Sequence, residues 1–178
     1  MPLLDALSCF EYRRQLKKFY EYHRRRRDSK YTDRCIYTSD IFVFKLDTDA
    51  PQILSSKNWI KVEVMTCAAP NLRERPNNIY NPAKSAPLKI SDDELYKIHI
   101  QRAEHILTVA THHKADILII GAFGCGAFKN NPKVVTEAYK ETLKKFSGCF
   151  QEIVFAVYCS PKNGNENYVA FSQILKES

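Results

Sequence analysis

The run Ala115 to Ile120 passes directly into Gly121-Ala122-Phe123-Gly124-Cys125-Gly126-Ala127-Phe128, and Asn130-Asn131-Pro132 follows at once. An almost unbroken apolar run of this length marks a strand buried on both faces by helices. Asparagine followed by proline is an N-cap candidate with proline at the first helical position, where its missing N–H costs nothing. A strand, a glycine turn and a helix in that order begin a parallel crossover, and such crossovers are right-handed and build layered α/β folds.

The rest of the chain fits this frame. Residues Leu4 to Arg27 read as a helix with an imperfect apolar stripe through Leu7, Phe10, Leu16, Phe19, Tyr20 and His23. Cys35 to Phe44 and Trp59 to Thr66 are strand candidates, the second with Ile60, Val62 and Val64 alternating with Lys61 and Glu63. Pro70 to Pro87 is rich in proline and asparagine and predicts a long surface loop. Ser91 to Glu94 is a capping box that starts a helix running to about His113, with Leu95, Ile98, Ile106, Leu107 and Ala110 on its apolar side. A helix from Pro132 to Phe146 stops at Gly148, a second buried strand spans Ile153 to Tyr158, and a closing helix spans Asn167 to Lys176. The expectation is one α/β domain, a layered α/β/α fold with a mixed, mostly parallel central sheet. With 178 residues, 44% of them hydrophobic, the chain is long enough for one such core and little more.

Charge and cysteine usage narrow the partners. A formal charge of +7 favours an anionic partner without identifying it. The run Arg24-Arg25-Arg26-Arg27 has two readings: a solvated helix end whose cations suit the negative C-terminal dipole, or a nuclear-import or nucleic-acid patch. Cys9, Cys35, Cys67, Cys125, Cys149 and Cys159 form no C-x-x-C pair and have no histidine at zinc spacing, so they predict reduced thiols and no metal site. There is no basic leader and no apolar stretch of membrane-spanning length, which predicts a soluble, unsecreted protein of the cytoplasm or nucleus.

The glycine turn carries the chemistry. In open parallel sheets, ligands bind outside the carboxyl ends of the strands. Glycines there let the backbone approach closely, and bare N–H groups near a helix N-terminus cradle phosphate. Two familiar phosphate loops are excluded. Gly121 and Gly126 have Walker A spacing, but Ala127 and Phe128 stand where lysine and serine or threonine are needed. A dinucleotide fingerprint on Gly124 and Gly126 would want a third glycine at Lys129. The remaining alternatives are a diphosphate site that needs no cofactor and a merely structural turn.

This loop, with Asn131-Pro132 after it, resembles the second phosphate loop of the microbial-type poly(ADP-ribose) glycohydrolases, which are macrodomain proteins. Further blocks resemble that family in the same order: Tyr31-Thr32-Asp33, Ile36-Tyr37, Val43-Phe44, Thr66 to Asn71 and Phe155 to Tyr158. The resemblance implies that Gly121 opens the loop, that the amides of Gly124, Cys125, Gly126 and Ala127 bind a diphosphate, and that Phe128 packs against the distal ribose. It implies an adenine-stacking place for Tyr158, for which a core position is the alternative, and a pocket wall at Thr66 to Asn71, so Asn71 joins the ligand-binding set. Cys125, near a helix start, is open to a lowered pKa, but no histidine is placed to make it a nucleophile. A side chain at Gly126 is expected to fill the phosphate space and to strain a glycine conformation.

The departures concern catalysis. Enzymes of this family carry a glycine-rich loop and then a glutamine and two glutamates, the last acting as general acid. Placing Ala6-Leu7 directly after that signature puts Leu3, Leu4 and Asp5 at its three positions. Asp5 is then a carboxylate one methylene short of the acid, in a chain lacking the family's N-terminal part. The expectation is an ADP-ribose-binding protein, its partner ADP-ribose or an ADP-ribosylated protein, with glycohydrolase activity lost or residual. An active glycohydrolase using Asp5 or upstream residues and a basic nucleic-acid-binding module are the alternatives.

Overall fold

The structure is a computed structural model that describes residues 10–77, 86–159 and 165–174. The chain divides into two compact units, Met1–Arg26 with Arg34–Cys67, and Arg27–Asp33 with Ala68–Ser178.

The first unit holds helix α1 (Phe10–Arg26) and strands β1 (Cys35–Val43) and β2 (Ile60–Cys67). The helix ends where Arg27 turns into left-handed backbone at φ 49°. Arg24 to Arg27 are all exposed, as at a solvated helix end. Strands β1 and β2 pair antiparallel and lie within a residue of their expected ends. Thr38 faces Val64 and Ile41 faces Val62, so β1 holds one residue too many between them. That bulge is turned by Asp40 at φ 59°, whose carboxylate pairs with Lys61. The same register sets Cys35 directly opposite Cys67.

The second unit carries α2 (Asp92–His112), β3 (Ile117–Gly121), α3 (Pro132–Lys145), β4 (Glu152–Ala156) and α4 (Glu166–Ile174). Both start signals read in the sequence are in place. The Ser91 hydroxyl accepts from the Glu94 amide, and the Asn131 side chain accepts from the Lys133 amide ahead of Pro132. Gly148 takes φ 76° just past α3. Strands β3 and β4 pair parallel, Ile117 with Glu152 through Gly121 with Ala156, so α3 is the crossover between them. The strand expected to reach Tyr158 stops at Ala156, because its partner stops at Gly121. Helix α3 packs against α2 and α4. The core gathers Ala103, Ile120, Cys125, Val135, Tyr139 and Phe171, flanked by Leu118, Ile153 and Phe155.

Two expectations are corrected here. The strand at 117–121 is not buried on both faces: Ile120 is buried and Leu118 half-buried, but Ile117 and Ile119 are 56% and 69% exposed. The core packs against one face only, so the uninterrupted apolar run hides a strand that alternates. The described residues also form no single central sheet but two two-stranded ones, one antiparallel and one parallel. The class is mixed α/β.

Candidate functional site

The glycine loop leaves the carboxyl end of β3 and folds as two successive turns. The Cys125 amide donates to Ala122 O at 3.0 Å and the Lys129 amide to Gly126 O at 3.2 Å, while the Asn130 amide closes back on Gly124 O at 3.0 Å. Among the described residues the amides of Gly124, Gly126, Ala127 and Phe128 donate to no protein acceptor. Gly126 and Ala127 are exposed. Bare N–H groups on successive residues at the end of a parallel strand are what an anion-binding nest requires. The Cys125 amide, expected among the donors, is instead consumed inside the loop.

The glycines are not equivalent. Gly124 sits at φ 79°, and a Cβ there would lie 2.6 Å from the Ala69 Cβ and 2.9 Å from the Asn130 Cγ. Gly126 is outside the left-handed region, and a Cβ on it would meet nothing within 4 Å. The expected backbone strain at Gly126 is therefore corrected and belongs to Gly124; what Gly126 keeps open is space.

A buried pair holds the loop. The Asn130 Nδ2 group donates to Pro70 O at 2.7 Å and to Phe128 O at 3.2 Å, joining the 69–71 segment to the loop. Its Oδ1 must then accept, and His99 Nε2 lies 2.8 Å away. This fixes the tautomer: the Nε2 nitrogen carries the proton. His99 Nδ1 is left buried without a hydrogen-bond partner. Burial, opposed by the Asn130 hydrogen bond and reinforced by the Arg102 charge, pushes the His99 pKa down to about 4. The unfolded chain titrates near 6.5, so above that pH both states are neutral and stability is complete. Below it the unfolded state takes up the proton first, and stability falls until about pH 4. The expected loss is roughly 3 kcal/mol over that window. Urea titrations of the protein and of His99→Gln between pH 7 and 4.5 measure it. The glutamine variant should show the shallower pH dependence, and parallel curves would rule the histidine out.

Phe128 closes the loop as a half-buried ring. It stacks on Tyr31 with centroids 6.0 Å apart and planes 16° apart, and the Arg73 guanidinium carbon lies 5.5 Å from its centroid. The Leu72 amide donates to Phe128 O at 2.9 Å. Tyr31 is in left-handed backbone at φ 57°, an uncommon conformation for an aromatic residue. Its neighbours Lys30 and Asp33 are gripped by Arg102, which is 2% exposed and donates to Lys30 O, to Ala68 O at 2.8 Å and to Asp33 Oδ1 at 3.3 Å. Asn71 is fully buried: its amide donates to Ser29 O, its Nδ2 to Pro76 O, and its Oδ1 accepts from Arg73 Nε at 3.0 Å. All of its polar side-chain atoms serve protein partners, so it shapes the site through Arg73.

Cys125 points into the core, its Sγ 3.7 Å from Phe123 O, and burial pushes its thiol up to about 12. The lowered pKa open to it on sequence grounds is thus corrected, since desolvation outweighs any help from the helix start. Gly121 is the last residue of β3, paired with Ala156. Tyr158 lies two residues beyond Ala156, on the edge from which the loop also departs, and is 86% exposed, so the core alternative for its ring falls away. Asp5 lies outside the described residues. Among those described, no group of three His, Cys, Asp or Glu residues could hold a metal ion, and no helix is long and apolar enough to cross a membrane.

His99, Arg102 and Asn130 were not singled out in the sequence. A signal existed for two of them: the buried positions of α2 are Leu95, His99, Arg102, Ala103, Leu107 and Ala110, so two polar residues occupy an otherwise apolar stripe. A polar residue at a core position is buried only with partners.

No family model matches the sequence, and no curated protein does. Solved structures do. The fold is similar to poly(ADP-ribose) glycohydrolase from Thermomonospora curvata bound to the inhibitor ADP-HPD, at 30% identity and a TM-score of 0.73, over 90% of this chain and 56% of that one. It is also similar to poly(ADP-ribose) glycohydrolase from Deinococcus radiodurans in complex with ADP-ribose, at 27% identity and a TM-score of 0.72, over 92% of this chain and 60% of that one. In sequence and fold this chain is similar to the microbial poly(ADP-ribose) glycohydrolases, and it spans somewhat more than half the length of each.

Proposed function

We propose that this protein binds ADP-ribose, free or attached to a protein, through a diphosphate seated on the amides of Gly124, Gly126, Ala127 and Phe128, in a single macrodomain-like domain of layered α/β/α type. The observation that carries this reading is the row of unclaimed amides at the carboxyl end of the β3–β4 sheet, with open space over Gly126. It is supported by the relative from Deinococcus radiodurans, which was solved with ADP-ribose. Phe128 offers a face to the distal ribose, and the exposed ring of Tyr158 offers one to adenine. Base stacking on such a ring contributes roughly 1–3 kcal/mol. The protein acts where ADP-ribosylated partners occur, in the cytoplasm or nucleus.

Glycohydrolase turnover is lost or residual in this reading. A general acid contributes about 10²–10⁴ in rate and must come within about 2.6–3.2 Å of the leaving oxygen. Within residues 1–178 the family resemblance places Asp5 in that role, one methylene short of a glutamate. Titration calorimetry is expected to give a dissociation constant on the order of 0.1–1 mM for ADP-ribose, near 5 kcal/mol of binding. Silence toward millimolar ADP-ribose, together with steeply salt-dependent binding of an oligonucleotide, would replace this reading with the nucleic-acid one. Release of ADP-ribose from labelled polymer by the protein but not by Asp5→Ala would restore the enzyme.

A further inference from the structure

Among the described residues Arg73 is a cation held in place without a counter-charge. Its Nε donates to Asn71 Oδ1 at 3.0 Å and its Nη2 to Pro76 O at 3.3 Å, both neutral acceptors. No carboxylate pairs with it among the described residues, and residues 78–85, which follow its loop, contain no Asp or Glu. The acceptors are themselves fixed: Asn71 and Pro76 are buried, and the adjacent Leu72 amide is bonded to Phe128 O. An arginine oriented in this way has lost much of its rotamer freedom before any ligand arrives. Two of its five donors are used, which leaves the rest of the fork for an anion. It stands over the ring of Phe128, the last residue of the amide loop.

We propose that Arg73 binds a phosphate group adjoining the ribose carried on Phe128. The assignment rests on the ADP-ribose reading and adds a charged contact to a loop that otherwise offers only neutral amides. Two phosphates have this chemistry: the diphosphate group attached to that ribose in ADP-ribose itself, and the first phosphate of a further unit in a polymer. A preorganised guanidinium takes either in a bidentate fork.

The test compares the protein, Arg73→Lys and Arg73→Gln by calorimetry with ADP-ribose and with a two-unit ADP-ribose oligomer, at 50 and 200 mM salt. Arg73→Gln is expected to weaken binding about tenfold or more. It should also make binding less sensitive to added salt, because a screened charge–phosphate attraction is gone, a change that a merely structural role for the arginine would not produce. Arg73→Lys should keep the salt sensitivity while losing part of the affinity, because an ammonium retains the charge without the fork. Loss toward both ligands assigns Arg73 to the diphosphate, and loss toward the oligomer alone assigns it to the next unit. Equal affinity and equal salt sensitivity in the protein and Arg73→Gln overturn the Arg73 assignment while leaving the ADP-ribose reading intact. A protein silent toward both ligands overturns that reading and this one with it.

Discussion

Gly126→Val is expected to lose ADP-ribose binding by roughly 100-fold, about 2.7 kcal/mol, with little change in thermal stability, whereas Gly124→Ala is expected to unfold far more easily. A single residue separates the positions, and the opposite outcomes come from where each Cβ would point. At Gly126 it enters open space, which the ADP-ribose reading gives to a phosphate. At Gly124 it drives into Ala69 and Asn130 on a backbone at φ 79°. Left-handed backbone costs an L-residue about 1–2 kcal/mol, and overpacking adds about 1–3 kcal/mol. The sum corresponds to a melting temperature lower by on the order of 10 °C for a chain of this size. Calorimetric scans and ligand titrations on both variants provide the check. A Gly126→Val protein that binds like the parent removes the loop from the site.

Arg102→Met should be the most destabilising substitution in α2. The guanidinium is almost fully buried and bonds Lys30 O, Ala68 O and Asp33, drawing the 30–33 turn and the start of the 68–76 segment onto the helix. A methionine fills similar volume but leaves two carbonyls and a carboxylate without their donor. A buried acceptor left without its donor costs about 1–3 kcal/mol, while the half-exposed Asp33 carboxylate turns to water instead. Denaturant midpoints measure the loss. A cost under about 1 kcal/mol would mean that water satisfies these acceptors without the arginine.

The physical character of each signal decided what the sequence disclosed. Strands, caps and the glycine turn were legible because they rest on local chemistry: Ser91 and Asn131 cap the helices they precede, and Gly148 ends α3. The burial of Ile117 and Ile119 was misjudged because a run of apolar residues does not say how many faces of a strand are covered. The expected single sheet failed for the same reason, since it depends on how strands are matched over long range. Within the site, the glycines were visible, but the division of labour between Gly124 and Gly126 was not, because it depends on Ala69 and Asn130 arriving from elsewhere. Arg73, Tyr31 and His99 acquire roles only through partners at positions 128, 71 and 130.

The buried amide of Asn130 is also a position where one chemical change would reach the whole loop. Asparagine is among the thermolabile residues, and conversion of its side chain to a carboxylate changes one atom and the charge. Here that atom is the nitrogen now donating to Pro70 O and Phe128 O. An oxygen in its place would face two carbonyls, and its negative charge would stand beside a loop suited to anions. A single hydrolysed amide at this position would thus both loosen the loop and repel the anion that the ADP-ribose reading places there.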